Sequence, residues 1–267
     1  MIHILVKIYR FFFAKAIFEK WNKLLYRLSL NGLGVLNYEN SRVSGEAYFL
    51  KKYLHLTAPG GVIIDVGANA GEYSLMCAEL RPDASVFAFE PHPKTFQVLL
   101  GSLSGANVHC YSKAVGSAAG TLELFDYDDQ DGSPHASVYQ EVIEGIHKGN
   151  AVSHKVEVVS LDDFIKAQGL KDICLLKIDT EGHELEVLKG AAETINLGGI
   201  GAIQFEFNEM NVISRCFLRD FVDILADYDL YRLLPSGMIK IKYDSFHGEI
   251  FAYQNIVAIH RSMRFPL

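Results

Sequence analysis

Between residues 62 and 207 short apolar runs alternate with amphipathic stretches of helical period. VIIDV at 62–66, SVFAFE at 85–90, NVHCY at 107–111, ICLLKI at 173–178 and AIQFEF at 202–207 read as buried strands. Helical patterns at 72–80, 93–103, 161–168, 184–196 and 215–227 separate most of them. Strands that alternate with helices predict a parallel sheet with crossover connections. The pattern then changes: YRLLPSGMIKIKY followed by GEIFAYQNIVAIHR predicts two or three strands joined by a Pro-Ser-Gly turn, with no helix between them.

Upstream of the sheet, residues 1–28 set bulky apolar side chains, Trp21 among them, against Lys7, Arg10, Lys15, Lys20, Lys23 and Arg27, with Glu19 as the one acid. That is the pattern of a basic amphipathic helix. A Gly- and Asn-rich linker at 31–40, a short helix from Gly45 to Leu56 and Pro59-Gly60-Gly61 lead into the first strand. The expected organisation is therefore an N-terminal helical segment at 1–56 and an α/β domain at 57–267. The helix at 1–28 has two readings. One is an interfacial anchor on anionic lipid, a peripheral membrane contact; the other is a helix packed on its own domain or on a second subunit, as in a homodimer.

Composition narrows the function classes. A chain of 267 residues with 49% hydrophobic and 21% charged residues buries a core and is neither disordered nor fibrous. Twenty-five Lys and Arg against 32 Asp and Glu give a formal charge of −7. Phosphate binding wants a basic face, so no nucleic acid is expected as a partner. Cys77, Cys110, Cys174 and Cys216 show no CxxC pair and no zinc spacing, which predicts reduced, mostly buried thiols and no metal. No apolar run reaches the ~18 residues of a spanning helix, and basic residues break the early apolar stretch. A cytoplasmic location is the expectation.

The candidate chemistry begins at VIIDVGANAGEYS, where a buried strand ends at Asp65 and the loop Gly67-Ala68-Asn69-Ala70-Gly71 opens a helix. Glycines let the backbone approach a ligand, and the helix start offers unpaired N–H groups. Glu90 ends the next strand, where an acid accepts both hydroxyls of a ribose. The spacing fails for NAD, because the positions of G-x-G-x-x-G hold Gly67, Asn69 and Glu72; no Gly-Lys-Ser/Thr follows for a P-loop. S-adenosylmethionine carries no phosphate and fits what remains, with Asp65, Gly67, Asn69, Gly71 and Glu90 as candidate contacts.

The motifs SGEAYFL at 44–50, IIDVGANAGEYS at 63–74, VFAFEPHP at 86–93, AVG at 114–116, VVSLDDF at 158–164 and LLKIDTEGHELEVLKGA at 175–191 resemble the FkbM family of S-adenosylmethionine-dependent methyltransferases. The resemblance covers residues 44–260 and leaves the basic helix outside it. It implies a class I methyltransferase fold, Rossmann-like, with a seven-stranded mostly parallel sheet and an antiparallel C-terminal hairpin. It also implies O-methylation of a hydroxyl on a sugar, glycolipid or small metabolite.

The residues argue in parallel. A buried strand ends at Asp179, and Thr180-Glu181-Gly182-His183 turns into a helix. Carboxyl ends of parallel strands face the ligand crevice, so Asp179, Glu181 and His183 are expected near the transferred methyl, with Asp179 also on the cofactor. His183 is the expected general base, and Glu206, at the end of the following strand, is expected to bind the acceptor hydroxyl or hold the base. Glu184 reads as a helix-start acid. An N- or carboxyl-methyltransferase and a non-catalytic nucleoside-binding scaffold remain open; the intact candidate set weighs against the scaffold. The acidic run Asp126, Asp128, Asp129, Asp131 fails as a calcium loop, since placing Gly132 at the sixth position puts Tyr127 first and Val138 twelfth. It reads as a solvated loop over the acceptor pocket. Around it an irregular insertion at 126–155, with His135, His147 and His154 at no ligand spacing, is expected to shape acceptor choice.

Overall fold

In the computed structural model, which describes residues 1–133, 135–146 and 148–263, every apolar run singled out above becomes a strand. In chain order the elements are α1 (Ile2–Phe13), α2 (Glu19–Gly32), α3 (Ser41–Ser44), α4 (Glu46–Leu54), β1 (Val62–Val66), α5 (Glu72–Leu80), β2 (Ser85–Phe89), α6 (Pro93–Ser102), β3 (Val108–Tyr111), β4 (Ala114–Val115), β5 (Gly120–Tyr127), β6 (Ala151–Val159), α7 (Leu161–Gln168), β7 (Ile173–Ile178), α8 (Glu184–Lys189), α9 (Ala192–Asn196), β8 (Ile200–Phe207), α10 (Met210–Ser214), α11 (Leu218–Ile224), β9 (Tyr228–Leu234), β10 (Gly237–Lys240), α12 (Ser245–Gly248) and β11 (Gln254–His260).

The main sheet runs β10-β9-β11-β8-β7-β1-β2-β3. β3, β2, β1, β7 and β8 are parallel, whereas β11 enters antiparallel between β8 and β9. That is the class I methyltransferase arrangement, with eight strands where seven were expected and β10 at the edge. β9 and β10 form the expected hairpin around Pro235 and Ser236. The helical turn α12 then intervenes before β11, where no helix was expected. It forms because Asp244 caps it, its carboxylate accepting the N–H groups of Phe246 and His247.

Both faces of the sheet are covered. On one, Ile64, Leu176 and Ile203 pack with Phe164 of α7, Leu188 of α8, Ile195 of α9 and Phe221 of α11. The other presents Ile63, Leu175 and Ala202 to Phe49, Leu50, Tyr53 and Leu54 of α4 and Cys77 of α5. Each fully buried Leu or Phe stabilises by about 1.5–3 kcal/mol, so α4 belongs to the core rather than to a detached segment. Tyr53 also donates to the Cys174 carbonyl at 2.8 Å. The helix expected over 184–196 breaks into α8 and α9 at Gly190, where a Cβ would lie 2.1 Å from the Gly116 carbonyl.

The segment expected at 1–56 thus divides. α3 and α4 join the core, while α1 and α2 form a helical hairpin in which Leu30 is the one buried residue. The insertion is more regular than expected: β5 and β6 pair antiparallel over their length and, with β4, make a second sheet of three strands. All four cysteines are free; Cys77 and Cys216 are buried, and Cys110 and Cys174 partly so. No described helix is long and apolar enough to cross a membrane.

Candidate functional site

Strands buried on both faces should be apolar throughout. Three side chains break that rule in one row, because Asp65 on β1 is in register with Lys177 on β7, and Lys177 with Gln204 on β8. All three are buried. Lys177 Nζ lies 2.9 Å from Asp179 Oδ2 and 4.0 Å from Glu46 Oε1, and sits 5.5 Å over the Tyr73 ring. Burial alone would lower its pKa, but Asp179 and then Glu46 outweigh burial and hold the ammonium above its ordinary range. Gln204 Nε2 donates to Glu46 Oε1 at 2.9 Å and to Asn255 Oδ1 at 2.8 Å, while its Oε1 accepts from the Tyr73 hydroxyl. Asn255 in turn donates to the Tyr253 hydroxyl at 2.9 Å.

Just beyond this row, at the carboxyl ends of the strands, opens a crevice of about 480 Å3. Gly67, Asn69 and Glu90 line one part of it; Asp179, Glu181, His183 and Glu206 line another. Gly67 has φ +81°, and a Cβ there would fall 1.7 Å from the Asp179 carbonyl, so only glycine lets the loops after β1 and β7 come together. Glu90 is buried, and its two oxygens accept from the N–H groups of Asn69 at 2.9 Å and His92 at 2.8 Å. Burial, seconded by Asp65 and Asp179, nevertheless lifts its pKa to about 7. Each oxygen keeps an acceptor position, so a glycine cradle beside a dry carboxylate fits the ribose and nearby backbone of S-adenosylmethionine.

Two sequence candidates stand behind the crevice rather than in it. Asp65 is buried under the loop, its Oδ2 accepting from Ser74 Oγ at 2.6 Å, and Gly71 faces Leu99 and Leu103. Both shape the loop and neither reaches the crevice wall, because the turn after β1 carries the chain over Asp65 before α5 begins.

In the other half, Asp179 is held by Lys177. His183 is the residue before α8; burial lowers its pKa, so the ring is neutral at pH 7, and its Nδ1 is buried without a hydrogen-bond partner among the described residues. Glu181 sits at φ +50° and pairs with His135 Nδ1 at 3.2 Å. Burial raises the Glu181 carboxyl, and that carboxyl raises the His135 imidazole. Glu206 is buried, and burial together with Asp179 pushes its carboxyl well above the carboxylate range. Glu184 plays the structural part expected of it, its Oε1 accepting from Thr180 N, Thr180 Oγ1 and Gly182 N.

The acidic loop departs from expectation. Asp126 is wholly buried and accepts from the N–H groups of Tyr127, Gly132 and Ser133. Asp131 Oδ1 lies 2.9 Å from His92 Nε2 and 2.6 Å from His154 Nε2, and its Oδ2 lies 2.7 Å from Lys94 Nζ. Neither residue is a solvated charge, because each anion satisfies donors that the fold buries around it. The ligand atoms of His92, Asp131 and His154 are close enough to share a cation. However, His92 Nδ1 accepts from Lys94 N at 3.3 Å and Thr95 N at 3.5 Å, which leaves the proton on Nε2 and its lone pair unavailable. The cluster is therefore a hydrogen-bonded clasp between the insertion and the start of α6. His147 lies outside the described residues.

Sequence reasoning missed Lys177, Glu46, Gln204, Asn255, Tyr253 and the clasp. Lys177 had a signal, a lone charge in an apolar strand two positions before Asp179, on the same face. Glu46 lies in SGEAYFL, one of the motifs behind the resemblance. The three-stranded sheet supplies Ala114 and Leu124, and the insertion Ala136 and Val138, as apolar lining of a crevice that Tyr38 and Tyr253 also line.

The family model described as the methyltransferase FkbM domain matches residues 65–229. Methyltransferase sdnD of Sordaria araneosa is 35% identical over 156 residues, covering 49% of this chain and 60% of that protein. The chain thus spans about three fifths of the length of that relative. The 2-O-methyltransferase NoeI of Sinorhizobium fredii is 27% identical over 194 residues, covering 68% of this chain and 78% of its own. A solved S-adenosylmethionine-dependent O-methyltransferase of Thermotoga maritima is 13% identical, with a TM-score of 0.42 over 82% of this chain and 66% of that one.

Proposed function

The chain belongs to the FkbM methyltransferase domain family, and from that premise we propose that it is an S-adenosylmethionine-dependent methyltransferase acting on a hydroxyl of a saccharide or small metabolite. The observation that carries the reading is one continuous crevice joining the Gly67, Asn69 and Glu90 cradle to Asp179, His183 and Glu206. S-adenosylmethionine, when bound, supplies a methyl group activated on a positively charged sulfur. Glu90, with Asn69 and Gly67, would hold its nucleoside part.

The protein's share of the work is positioning, desolvation and proton removal. Asp179, fixed by Lys177, orients groups where strands β1 and β7 end. His183 is neutral at pH 7 and lines the crevice, which suits its ring to take the proton of an acceptor hydroxyl. Glu206 stays protonated and offers a donor to the acceptor, beside the acceptor-rich Asn208, Glu209 and Glu181. Tyr38 and Tyr253, edge to face at 6.0 Å, give a sugar ring an aromatic surface.

A thermal-shift titration tests the cofactor, with S-adenosylmethionine, S-adenosylhomocysteine and, as control, NAD. At ~100 times Kd the two sulfur compounds should stabilise by ~2.7 kcal/mol, a rise of several degrees lost in Glu90→Ala. Absence of any shift would overturn the reading. His183→Ala should leave S-adenosylhomocysteine affinity unchanged and lower turnover ~10²-fold or more; equal turnover would remove it as base. Mass spectra of methylated product separate O- from N- or carboxyl-methylation.

A further inference from the structure

We propose that the helical hairpin of α1 and α2 docks the protein on the surface of an anionic membrane. α1 has no buried residue. His3, Lys7 and Arg10 fall on one narrow face of it, while Ile2, Ile4, Leu5, Phe11 and Phe12 occupy the rest of its circumference, each more than half exposed. α1 meets the chain that follows it, where the Tyr9 hydroxyl donates to Asn22 Oδ1, Asn22 Nδ2 donates to the Phe13 carbonyl at 3.0 Å and Phe13 meets Phe18 edge to face. α2 repeats the division, with Trp21, Leu24, Leu25 and Leu28 exposed in one stripe and Lys20, Lys23 and Arg27 in another.

Charge selects the occupant. Six Lys and Arg against one Glu give residues 1–28 a balance of +5; since the whole chain carries −7, the remainder carries −12. A second copy of the hairpin would bring the same positive charge to this surface, whereas an anionic lipid layer complements it and accepts aromatic and aliphatic side chains at headgroup depth. At ~18 Å for twelve residues, α1 is too short for the ~30 Å hydrocarbon core and would lie in the interface.

The hairpin also has a fixed relation to the crevice. Directly after α2, Val35 bridges Gln254 and Leu36 N donates to the Tyr253 carbonyl at 2.7 Å, and Tyr38 and Tyr253 line the crevice. Docking therefore brings the Tyr38 side of the crevice toward the bilayer, which, resting on the methyl-transfer reading, suits an acceptor carried on lipid.

Vesicle flotation of the full chain tests the docking independently of any cofactor. Phosphatidylcholine vesicles with 30% phosphatidylglycerol are compared with phosphatidylcholine alone. The protein should float with the anionic vesicles only, and 0.5 M NaCl should weaken binding. Each basic residue is worth about fivefold in partition, so Lys7→Glu/Arg10→Glu should lower the partition coefficient, read from the bound fraction across a lipid titration, at least ~20-fold. The S-adenosylhomocysteine thermal shift of that variant should be unchanged, showing an intact body. Failure of the unaltered chain to float, or sedimentation as a dimer that Phe11→Asp disperses, would overturn the proposal.

Discussion

Glu90 combines two opposing influences at one carboxyl group. Two backbone N–H groups favour its charge, while burial and the neighbouring Asp65 and Asp179 oppose it more strongly and leave the pKa near 7. A ligand whose hydroxyls donate to this group favours the ionised form and so lowers its pKa on binding. Affinity is then full above pH 7 and falls as the pH drops below it, by up to about tenfold per unit. Calorimetric titration of S-adenosylhomocysteine at pH 8, 7 and 6 should show this loss, and Glu90→Gln should bind more weakly with a flat profile. A flat profile in the unaltered protein would mean that Glu90 does not touch the ligand. Residues such as Gly67, Glu90 and Asp179 were legible because each sits where a short sequence pattern ends, at the carboxyl edge of a strand. Lys177, Gln204 and Glu46 were not, because their row exists only through the register of strands far apart in the chain.

At the level of elements, strand positions followed closely from apolar runs, since burial on both faces leaves few alternatives. Helix ends followed less well. The break at Gly190 depends on contact with Gly116, which no local pattern encodes. The insertion was read as irregular for a similar reason: β5 and β6 alternate weakly, and their pairing is fixed by Asp126 gathering N–H groups at the tip and by Asp131 clasping α6. Asp131→Asn should test that clasp. It removes the anion shared by His92, His154 and Lys94, at a cost of about 1–3 kcal/mol and a melting temperature lower by a few degrees. Because the tip faces the acceptor half, KM for the acceptor should rise while S-adenosylhomocysteine affinity changes little; an equal loss in both would place the clasp at the cofactor instead.

For the whole molecule, several buried acids titrate together. Burial lifts Asp65 to about 6, and Glu90 and Glu184 to about 7. In the unfolded chain these groups ionise near 4, so between pH 4 and 7 the folded state holds more protons and stability falls as pH rises. His135, raised by Glu181, acts in the same direction; His183, lowered by burial, acts against it. The apo protein should therefore melt several degrees higher at pH 5 than at pH 8 by differential scanning fluorimetry, and Glu184→Gln should flatten that slope. A higher melting temperature at pH 8 would show that the three carboxyls are ionised in the folded protein.

The placement of the three-stranded sheet has a bearing on inheritance. It leaves the main sheet after β3 and the chain returns through α7 to β7, so its register is set internally by the pairing of Gly120 with Val158 through Tyr127 with Ala151. Residues 128–150 lie beyond the last pair of that ladder, so where the Asp131 clasp to His92 and Lys94 is kept, the rest of the segment can change without shifting the strand register. Descendants of one ancestral cradle could thus exchange this cassette and acquire new acceptors, while the row from Asp65 to Gln204 passes on unaltered.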